Sequence, residues 1–462
     1  MKKNIIKSVI IIIIAAGILI LLDKILLLKS EDGISQFKSL YKQDDNSIDV
    51  LFLGSSHVYC DVSTGVLWDE YGMAAYDLGG AEAPAFSSYY HLKEALKYQT
   101  PKVVLYEIST GAIRPTEYPP EFWVEDNDYG IRFNENRIDL LKANTSDNMF
   151  KRLLLPLGAM HGRYNDITEN DFTDVNNSKD YKGFDPREAT ATYDTPDISQ
   201  VTDSVPVGEK HEKYFRMIIE LCREKNIPLV LFVSPYTVSD EEEAIYNYMF
   251  EIGEEEGCTY IDFNRLYDEF DMDFTTDMAD ELHLNYGGNY KFTKYMGKLI
   301  KDSYDIPDRR GDEAYVSWAN DAYRQRMERN DLTLAQDNGA ENWLTIPSAQ
   351  GYVSFIAFAQ DGSEIYDDER EYFTDFGIDL DNVKAGDAYI CKNGAVIARA
   401  DGNDGEGFRL SDCENNNGLL FMEEDDNTIS LRIGTDKHEE EYGNRIFVYN
   451  YVQARYVGSA SF

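Results

Sequence analysis

Residues 48–57 read IDVLFLGSSH, a short apolar run that ends in a glycine and two serines before a histidine. An uninterrupted apolar run bounded by turn residues is typical of a buried strand in a parallel sheet. Residues at the carboxyl end of such a strand face the crevice where α/β proteins place their functional sites. The stretch therefore predicts a buried first strand with a serine hydroxyl exposed at its end.

Short apolar runs and helical patterns alternate further along the chain. They predict strands at residues 102–106, 227–233 and 258–263, and helices at 86–98, 209–225, 241–256 and 290–301. This alternation is the signature of a parallel sheet covered on both faces, so the fold class of the region is α/β. Residues 111–207, rich in Asn, Asp, Tyr and Pro, are too long for an ordinary crossover and predict a lid or a substrate-facing insertion.

The pattern changes after residue 306. A helix is predicted at 318–329, followed by alternating runs at 352–358, 388–391, 395–398 and 446–449 with turn residues between them. These runs predict a β-rich α+β domain. The expected organisation is a cytoplasmic stub with an anchor (1–30), a linker (31–47), the α/β domain (48–306), a linker helix (307–331) and a C-terminal domain (332–462).

The N-terminus carries an apolar segment preceded by Lys2, Lys3 and Lys7. The segment runs from Val9 to Leu22 and resumes at residues 25–28, which is long enough for a helix to cross a bilayer. Lysines ahead of the segment favour a cytoplasmic N-terminus with the rest of the chain outside. A cleaved signal peptide is the competing interpretation, but no small-residue cleavage site follows the segment. We therefore expect a single-pass membrane anchor with the rest of the chain on the extracytoplasmic side.

The composition narrows the class of function. The 462 residues include 84 acidic and 44 basic side chains, a formal net charge of −40, with 43% hydrophobic and 28% charged residues. These fractions indicate a globular protein, and the deep negative charge argues against a nucleic-acid partner. The five cysteines contain no C-x-x-C pair, which argues against a zinc site, and no other metal or cofactor motif is present. A Cys391–Cys413 bridge stays open in an oxidising compartment.

A second chemical signal is the sequence DELHLN at residues 280–285. A nucleophilic serine needs a base within hydrogen-bond reach, and that base needs a carboxylate to fix its tautomer. Asp280 and His283 can supply both from one loop. The alternative is that His283 caps a helix or packs in the core while Asp280 is an ordinary surface acid.

Taken together, the two signals resemble the SGNH (GDSL-like) hydrolase family over residues 48–300. The first block is Gly54-Ser55-Ser56, with Ser55 in place of the usual Asp, and the last block is Asp280-x-x-His283. The resemblance implies a three-layer, flavodoxin-like α/β/α fold. It implies Ser56 as nucleophile, His283 as base and Asp280 as its orienting carboxylate.

The oxyanion hole that the resemblance implies combines the Ser56 N–H with a glycine of the second block. Residues 76–80 read YDLGG, which makes Gly79 or Gly80 the candidate donor. The third block, normally Gly-x-Asn-Asp, is replaced by EIST at residues 107–110. The third oxyanion donor is therefore missing or comes from elsewhere.

The chain is most similar to a membrane-anchored, extracytoplasmic branch that resembles bacterial proteins of alginate O-acetylation and teichoic acid D-alanylation. This resemblance implies a serine esterase or O-acetyltransferase that acts on a cell-surface glycan, with a multi-span membrane acyltransferase as a candidate partner. A non-catalytic glycan-binding or assembly protein on the same scaffold is the alternative. Residues 355–363 (FIAFAQDGS) and 387–390 (DAYI) resemble interleukin-like (ILEI/PANDER) domains, some of which look like sugar-binding modules.

Three further residues are candidate substrate contacts. His57 directly follows the expected nucleophile and either contacts substrate or simply belongs to the first turn of a helix. His161 and Arg163 lie in the insertion and either meet an anionic or sugar substrate or form an ordinary polar pair in a loop.

Overall fold

The computed structural model describes residues 2–27, 32–113, 117–154, 161–172, 181–336, 339–367, 369–400, 408–409, 418–423 and 428–462. The chain divides into two compact units, Met1–Gln325 and Arg326–Phe462. The predicted α/β class and the predicted β-rich C-terminal region are both confirmed.

The first unit is built on a five-stranded parallel sheet with the strand order β2-β1-β3-β4-β5. This is the order of a doubly wound open sheet. The strands are β1 (Val50–Gly54), β2 (Ala75–Gly79), β3 (Val103–Glu107), β4 (Leu229–Val233) and β5 (Thr259–Asp262). Every residue of β1 to β4 is buried, as expected for a sheet covered on both faces, whereas the edge strand β5 is partly exposed.

The helices of this unit begin with α1 (Lys2–Leu26) and α2 (Ile34–Leu40). The helices around the first three strands are α3 (Ser56–Asp61), α4 (Thr64–Tyr71), α5 (Ala85–Ala95) and α6 (Thr110–Ile113). The predicted insertion contains α7 (Glu121–Tyr129), α8 (Glu135–Asn144) and α9 (Asp147–Leu153), with 3-10 helices at His161–Asn165 and Glu169–Phe172. The remaining long helices are α10 (Glu209–Lys225), α11 (Asp240–Glu255) and α12 (Tyr286–Ser303).

Ile5–Leu26 of α1 is, within the described residues, the one helical segment long and apolar enough to span a membrane. Its large apolar side chains, such as Ile11 and Ile20, are exposed. At about 1.5 Å per residue, its 22 residues reach roughly 33 Å, which matches a hydrocarbon core of about 30 Å.

The turn between β1 and α3 determines where Ser56 is placed. Gly54 has φ +152°, and a Cβ at this position would lie 2.7 Å from the Cβ of Glu107, so only glycine fits there. The Ser55 side chain then caps α3 by accepting a hydrogen bond from the His57 N–H. As a result, Ser56 is the first residue of a helix that starts directly at the carboxyl end of β1.

The second unit contains two antiparallel sheets. A five-stranded sheet has the order β14-β13-β6-β7-β8, and a four-stranded sheet has the order β12-β11-β10-β9. Their strands are β6 (Tyr352–Ala357), β7 (Ala388–Lys392), β8 (Ala395–Ala400), β9 (Phe408–Arg409), β10 (Gly418–Glu423), β11 (Thr428–Ile433), β12 (Asp436–Glu441), β13 (Arg445–Asn450) and β14 (Arg455–Ser461). Ile429 and Leu431 share a buried cluster with Phe355 and Phe447.

The helix α13 (Val316–Gln336) replaces the shorter helix predicted at 318–329 and crosses the boundary between the two units. The shorter helices α14 (Ala340–Thr345) and α15 (Arg370–Asp375) belong to the second unit. Cys391 is buried, and Cys413, with which the sequence leaves a bridge open, lies outside the described residues.

Candidate active site

Ser56, His283 and Asp280 come together at the carboxyl end of β1. The Oγ of Ser56 lies 2.8 Å from Nε2 of His283, although 227 residues separate them in the chain. Nδ1 of His283 lies 2.9 Å from Oδ1 and 3.0 Å from Oδ2 of Asp280. A hydroxyl, an imidazole and a carboxylate are thus joined in one line of hydrogen bonds, with the spacing that nucleophilic catalysis by serine requires.

The environment of Asp280 keeps its carboxylate charged. Partial burial by itself raises the pKa of Asp280. The hydrogen bond and charge of His283, together with the backbone N–H groups of Leu282 and His283, outweigh this effect and hold the pKa at about 2. The ionised carboxylate accepts from Nδ1–H of His283, so Nε2 is left to accept the Ser56 proton.

A buried aspartate, Asp61, connects the two segments that carry Ser56 and His283. Oδ1 of Asp61, the last residue of the helix that begins with Ser56, accepts a hydrogen bond of 2.9 Å from the Leu284 N–H. Leu284 directly follows His283. Asp61 is fully buried, and burial raises its pKa well above the usual value. The Asp61 side chain therefore links the helix that begins with Ser56 to the loop that carries His283.

Gly79 and Gly80, the glycines predicted as oxyanion donors, do not line the cavity next to Ser56. Ser56 is the first residue of α3, and the described residues provide no hydrogen-bond acceptor for its N–H. The Gly80 N–H is not available, because it donates to the Gly54 carbonyl at 3.1 Å in continuation of the sheet ladder. The Asp77 N–H points away from β1 and donates to the Lys182 carbonyl. Because backbone N–H groups alternate in direction along a strand, the Gly79 N–H, two residues later, also points away from β1.

The residues that instead line the cavity after β2 are Ala81 and Glu82. No hydrogen bond from the Ala81 N–H is present in the described part of the chain. Glu82 has φ +44°, a left-handed conformation that is uncommon for a residue with a side chain. The residues after β2 that reach the cavity are thus Ala81 and Glu82, one to three residues later than the predicted Gly79 or Gly80.

Glu107 lies at the end of β3 and contacts Ser55, the residue before Ser56. Its Oε2 accepts hydrogen bonds from the hydroxyls of Ser55 at 2.9 Å and Ser109 at 3.0 Å, and its Oε1 accepts from the Ser109 N–H at 2.9 Å. Complete burial raises the pKa of Glu107 to about 7, against the opposing effect of the Ser109 and Ser55 hydrogen bonds. Glu107 is the first residue of the segment 107–110, where the sequence lacks the asparagine expected as an oxyanion donor.

His57 is buried next to the triad, with 1% of its surface exposed. Its ring packs edge-on against His283 at 5.5 Å and Tyr236 at 5.1 Å between centroids. Neither ring nitrogen has a hydrogen-bond partner within the described residues, and burial lowers the pKa of His57 well below its usual value. A neutral imidazole that lines the cavity can exchange a hydrogen bond with a bound molecule.

The cavity over the triad has a volume of about 200 Å³. Besides Ser56, His57 and His283, its walls include Trp123 and Asp126 from α7, so the predicted insertion contributes to the site. Arg187 also lines it and pairs with Asp32 at 3.3 Å and Asp185 at 3.5 Å.

Arg163, another predicted contact, does not line this cavity. Arg163 donates to the Leu26 carbonyl at 2.8 Å and to Asp171 at 2.6 Å, so it fastens the end of α1 instead. His161 begins a 3-10 helix, and its side chain lies outside the described residues. Among the residues that the structure describes, no cluster of His, Cys, Asp and Glu could hold a metal ion.

Sequence reasoning did not find Glu107, Asp61 and Arg187. In the sequence, Glu107 stands out only because it belongs to the segment that replaces the expected third block. Asp61 looks like any other acid in an acidic chain. No local pattern marks Arg187. Comparison with known proteins finds no matching protein-family model and no matching curated protein.

Proposed function

We propose that this chain is a membrane-anchored, extracytoplasmic serine acyl hydrolase or acyltransferase of the SGNH type that acts on a cell-surface glycan. The observation that carries the proposal is the line of hydrogen bonds from Ser56 through His283 to Asp280 at the carboxyl end of β1. The parallel sheet order and the position of the serine directly after the first strand are in keeping with this class.

In the first half-reaction, Oγ of Ser56 attacks an acyl carbonyl while Nε2 of His283 takes its proton. The carbonyl oxygen becomes an oxyanion, and Asp280 stabilises the imidazolium. His283 then returns the proton to the departing oxygen, which leaves an ester on Ser56. In the second half, His283 takes a proton from water or a sugar hydroxyl, which attacks the ester, and finally returns the proton to Ser56.

The Ser56 N–H is the first oxyanion donor in this scheme, and we assign the second to the Ala81 N–H. Both residues line the cavity, and neither N–H group is used in another hydrogen bond within the described residues. Loss of one oxyanion donor costs about 10²–10³ in rate, so two backbone donors without an asparagine still support substantial catalysis.

The size of the cavity favours a small acyl group such as acetyl. Its volume of about 200 Å³ is below the roughly 300–1,000 Å³ of sites for larger ligands. We assign the anchoring role to α1, with the N-terminal lysines in the cytoplasm and the catalytic unit outside. A surface glycan is then the accessible acyl acceptor or donor, and a multi-span membrane acyltransferase is the expected partner for transfer.

Turnover of p-nitrophenyl acetate by the full chain in detergent tests the chemistry. We expect His283→Ala to lower kcat by on the order of 10⁶-fold relative to the wild type, because the serine then lacks its base. Asp305→Ala is the matched control because it removes an acid outside the cavity, and it should keep the wild-type rate.

A non-catalytic glycan-binding protein is the second candidate function. It is favoured by Glu107, a buried carboxyl in the segment where the SGNH family supplies an oxyanion asparagine. The same assay separates the two functions. Equal background rates in the wild type and His283→Ala would support binding without chemistry.

A further inference from the structure

The carboxyl group of Glu107 is connected to the catalytic cavity through two serines. Its hydroxyl partners, Ser55 and Ser109, both line the cavity over Ser56. Ser55 directly precedes the proposed nucleophile, and Ser109 lies between β3 and α6. The protonation state of this buried carboxyl therefore decides where two hydroxyl groups of the site direct their protons.

The position of Glu107 in the interior favours the neutral acid. Its side chain is fully buried, and the one basic group that the described residues place near the carboxyl is Nδ1 of His57, 4.0 Å from Oε1. Burial lowers the pKa of His57 well below its usual value, so this ring brings no positive charge at neutral pH. A buried carboxylate without a cation beside it is costly, and burial raises the pKa of Glu107 to about 7. Both forms of the carboxyl are therefore populated at neutral pH.

Other titratable groups surround this carboxyl. Those that interact with Glu107 are His57 and Asp61 on α3, Tyr106 on β3, Tyr236 after β4 and Tyr246 on α11. Burial raises the pKa of all three tyrosines, so they stay uncharged at neutral pH. Burial also raises the pKa of Asp61, but the donor that the described residues place on this acid is the Leu284 N–H and not a hydroxyl of the cavity. Glu107 is thus the group whose titration redirects the cavity hydroxyls.

Ionised Glu107 holds both hydroxyl protons. Its Oε2 then accepts from the hydroxyls of Ser55 at 2.9 Å and Ser109 at 3.0 Å, while Oε1 accepts from the Ser109 N–H at 2.9 Å. A serine hydroxyl has one proton to donate. Neither hydroxyl can therefore donate to a bound substrate in this state.

Protonated Glu107 requires a different set of hydrogen bonds. Because Oε1 faces the Ser109 N–H, the acid proton lies on Oε2 and is donated to one of the two hydroxyl oxygens. The Ser55 oxygen already accepts from the His57 N–H, whereas the described residues place no other donor on the Ser109 hydroxyl oxygen. The acid proton therefore goes to Ser109, and the proton of the Ser109 hydroxyl is released from the carboxyl and can point into the cavity.

We infer that the Ser109 hydroxyl is a third oxyanion donor at this site, and that protonated Glu107 is the positioning residue that turns it toward the oxyanion. The inference deepens the proposed function and rests on it. A donor directed at the developing negative charge stabilises the transition state more than the ground state. The site is therefore more active with the acid form of Glu107 than with the carboxylate.

The pH dependence of kcat tests the role of Glu107. The assay is turnover of p-nitrophenyl acetate by the full chain in a neutral detergent, corrected for spontaneous hydrolysis. Glu107→Gln does not titrate, and its amide can donate to the hydroxyls while its oxygen accepts from the Ser109 N–H. From about pH 6 to about pH 9, kcat of the wild type should fall on the order of 50-fold relative to that of Glu107→Gln, since the acid form is lost as the pH rises through about 7. Protonation of His283 affects both proteins and cancels in this ratio, and a ratio that does not vary with pH would overturn the role of Glu107.

Ser109→Ala tests the donor itself. At about pH 6 it should lower kcat by about 10²–10³, the cost of one oxyanion donor. Relative to the double variant Ser109→Ala/Glu107→Gln, its kcat should vary with pH much less than the wild-type ratio does, because the hydroxyl that Glu107 redirects is gone. A fall as large as that of the wild type would overturn Ser109 as the donor, in favour of Ser55 or of the charge of Glu107 alone.

The matched control is Ser88→Ala, which removes a buried hydroxyl outside the cavity and should keep the wild-type kcat and its pH dependence. Equal losses in Ser88→Ala and Ser109→Ala would overturn the donor role, since loss of any buried hydroxyl would then account for the effect. Absence of turnover in the wild type would refute the proposed function and this inference with it. Turnover that is indifferent to Ser109 and Glu107 would refute the inference alone.

Discussion

The carboxyl group of Asp61 accepts a hydrogen bond from the backbone N–H of Leu284, 223 residues further along the chain. Asp61 ends the helix that Ser56 begins, and Leu284 follows His283. The bond therefore links the helix that carries Ser56 to the loop that carries His283 without touching either of those side chains. In the proposed enzyme, Asp61 is a positioning residue.

We expect Asp61→Ala to lower kcat about 100-fold with little change in KM, because small displacements of a catalytic pair are costly. Asp61→Asn keeps the acceptor oxygen and should restore most of the rate. Thr293→Val removes a buried hydrogen-bonding side chain at the same end of α3 without touching Leu284, and it should lose stability but keep kcat. Steady-state kinetics that show equal kcat in Asp61→Ala and Thr293→Val would refute the positioning role.

Glu107 predicts a pH dependence of stability. Its folded pKa of about 7 lies above its ordinary value of 4.5, so the folded state holds the proton more tightly than the unfolded state does. Its contribution to stability is fully present below about pH 4.5 and is lost as the pH rises through about 7. As the pH rises from about 4.5 to about 7, the unfolding free energy of Glu107→Gln should therefore increase relative to that of the wild type by on the order of 3 kcal/mol.

Chemical denaturation of both proteins over this pH range measures the difference. Other buried acids such as Asp128 titrate in both proteins, so the difference in unfolding free energy isolates Glu107. A difference that does not vary with pH would contradict the assignment of the raised pKa to this carboxyl.

His57 predicts an effect on substrate binding. His57→Phe keeps a ring against Tyr236 and removes two buried nitrogens that have no hydrogen-bond partner in the described residues, although Nδ1 lies 4.0 Å from Oε1 of Glu107. The unfolding free energy should therefore rise by about 1 kcal/mol. If the imidazole contacts substrate, KM should rise about tenfold. His91→Phe alters a buried histidine outside the cavity and should leave KM unchanged. An unchanged KM in His57→Phe would argue that the ring only packs.

Substitution of Asp280 should lower kcat less than substitution of His283. Asp280→Asn keeps the shape of the side chain but no longer stabilises the imidazolium or fixes its tautomer, and kcat should fall about 10⁴-fold. Glu281→Gln, a neighbouring acid of the same loop that lies outside the cavity, is the control. Hydrolysis of p-nitrophenyl acetate checks both variants, and equal rates in the two would contradict the role of Asp280.

The sequence predicted those parts of the molecule that depend on short stretches of chain. The helix at 209–225 was predicted with its observed ends, because its apolar residues recur with the helical period. Ser56 follows a continuous apolar run, and Asp280 and His283 lie three residues apart. Each candidate can therefore be recognised from a single short stretch of sequence.

The parts that were missed depend on contacts between distant residues. β2 was not predicted as a strand because its five residues include Asp77, which is fully buried against the usual preference of an acid. The register of β2 beside β1 decides that the Gly80 N–H is used in the sheet, and no local pattern shows that register. The partners of Glu107 and Asp61 likewise become apparent only once the chain is folded.

The central claim is that Ser56 is the nucleophile of the full-length protein. Labelling with a fluorophosphonate probe tests it most directly, with Ser55→Ala as the matched control in the neighbouring serine. We predict that the wild type and Ser55→Ala are labelled, that the adduct maps to Ser56, and that Ser56→Ala is not labelled. Undiminished labelling of Ser56→Ala would contradict the account.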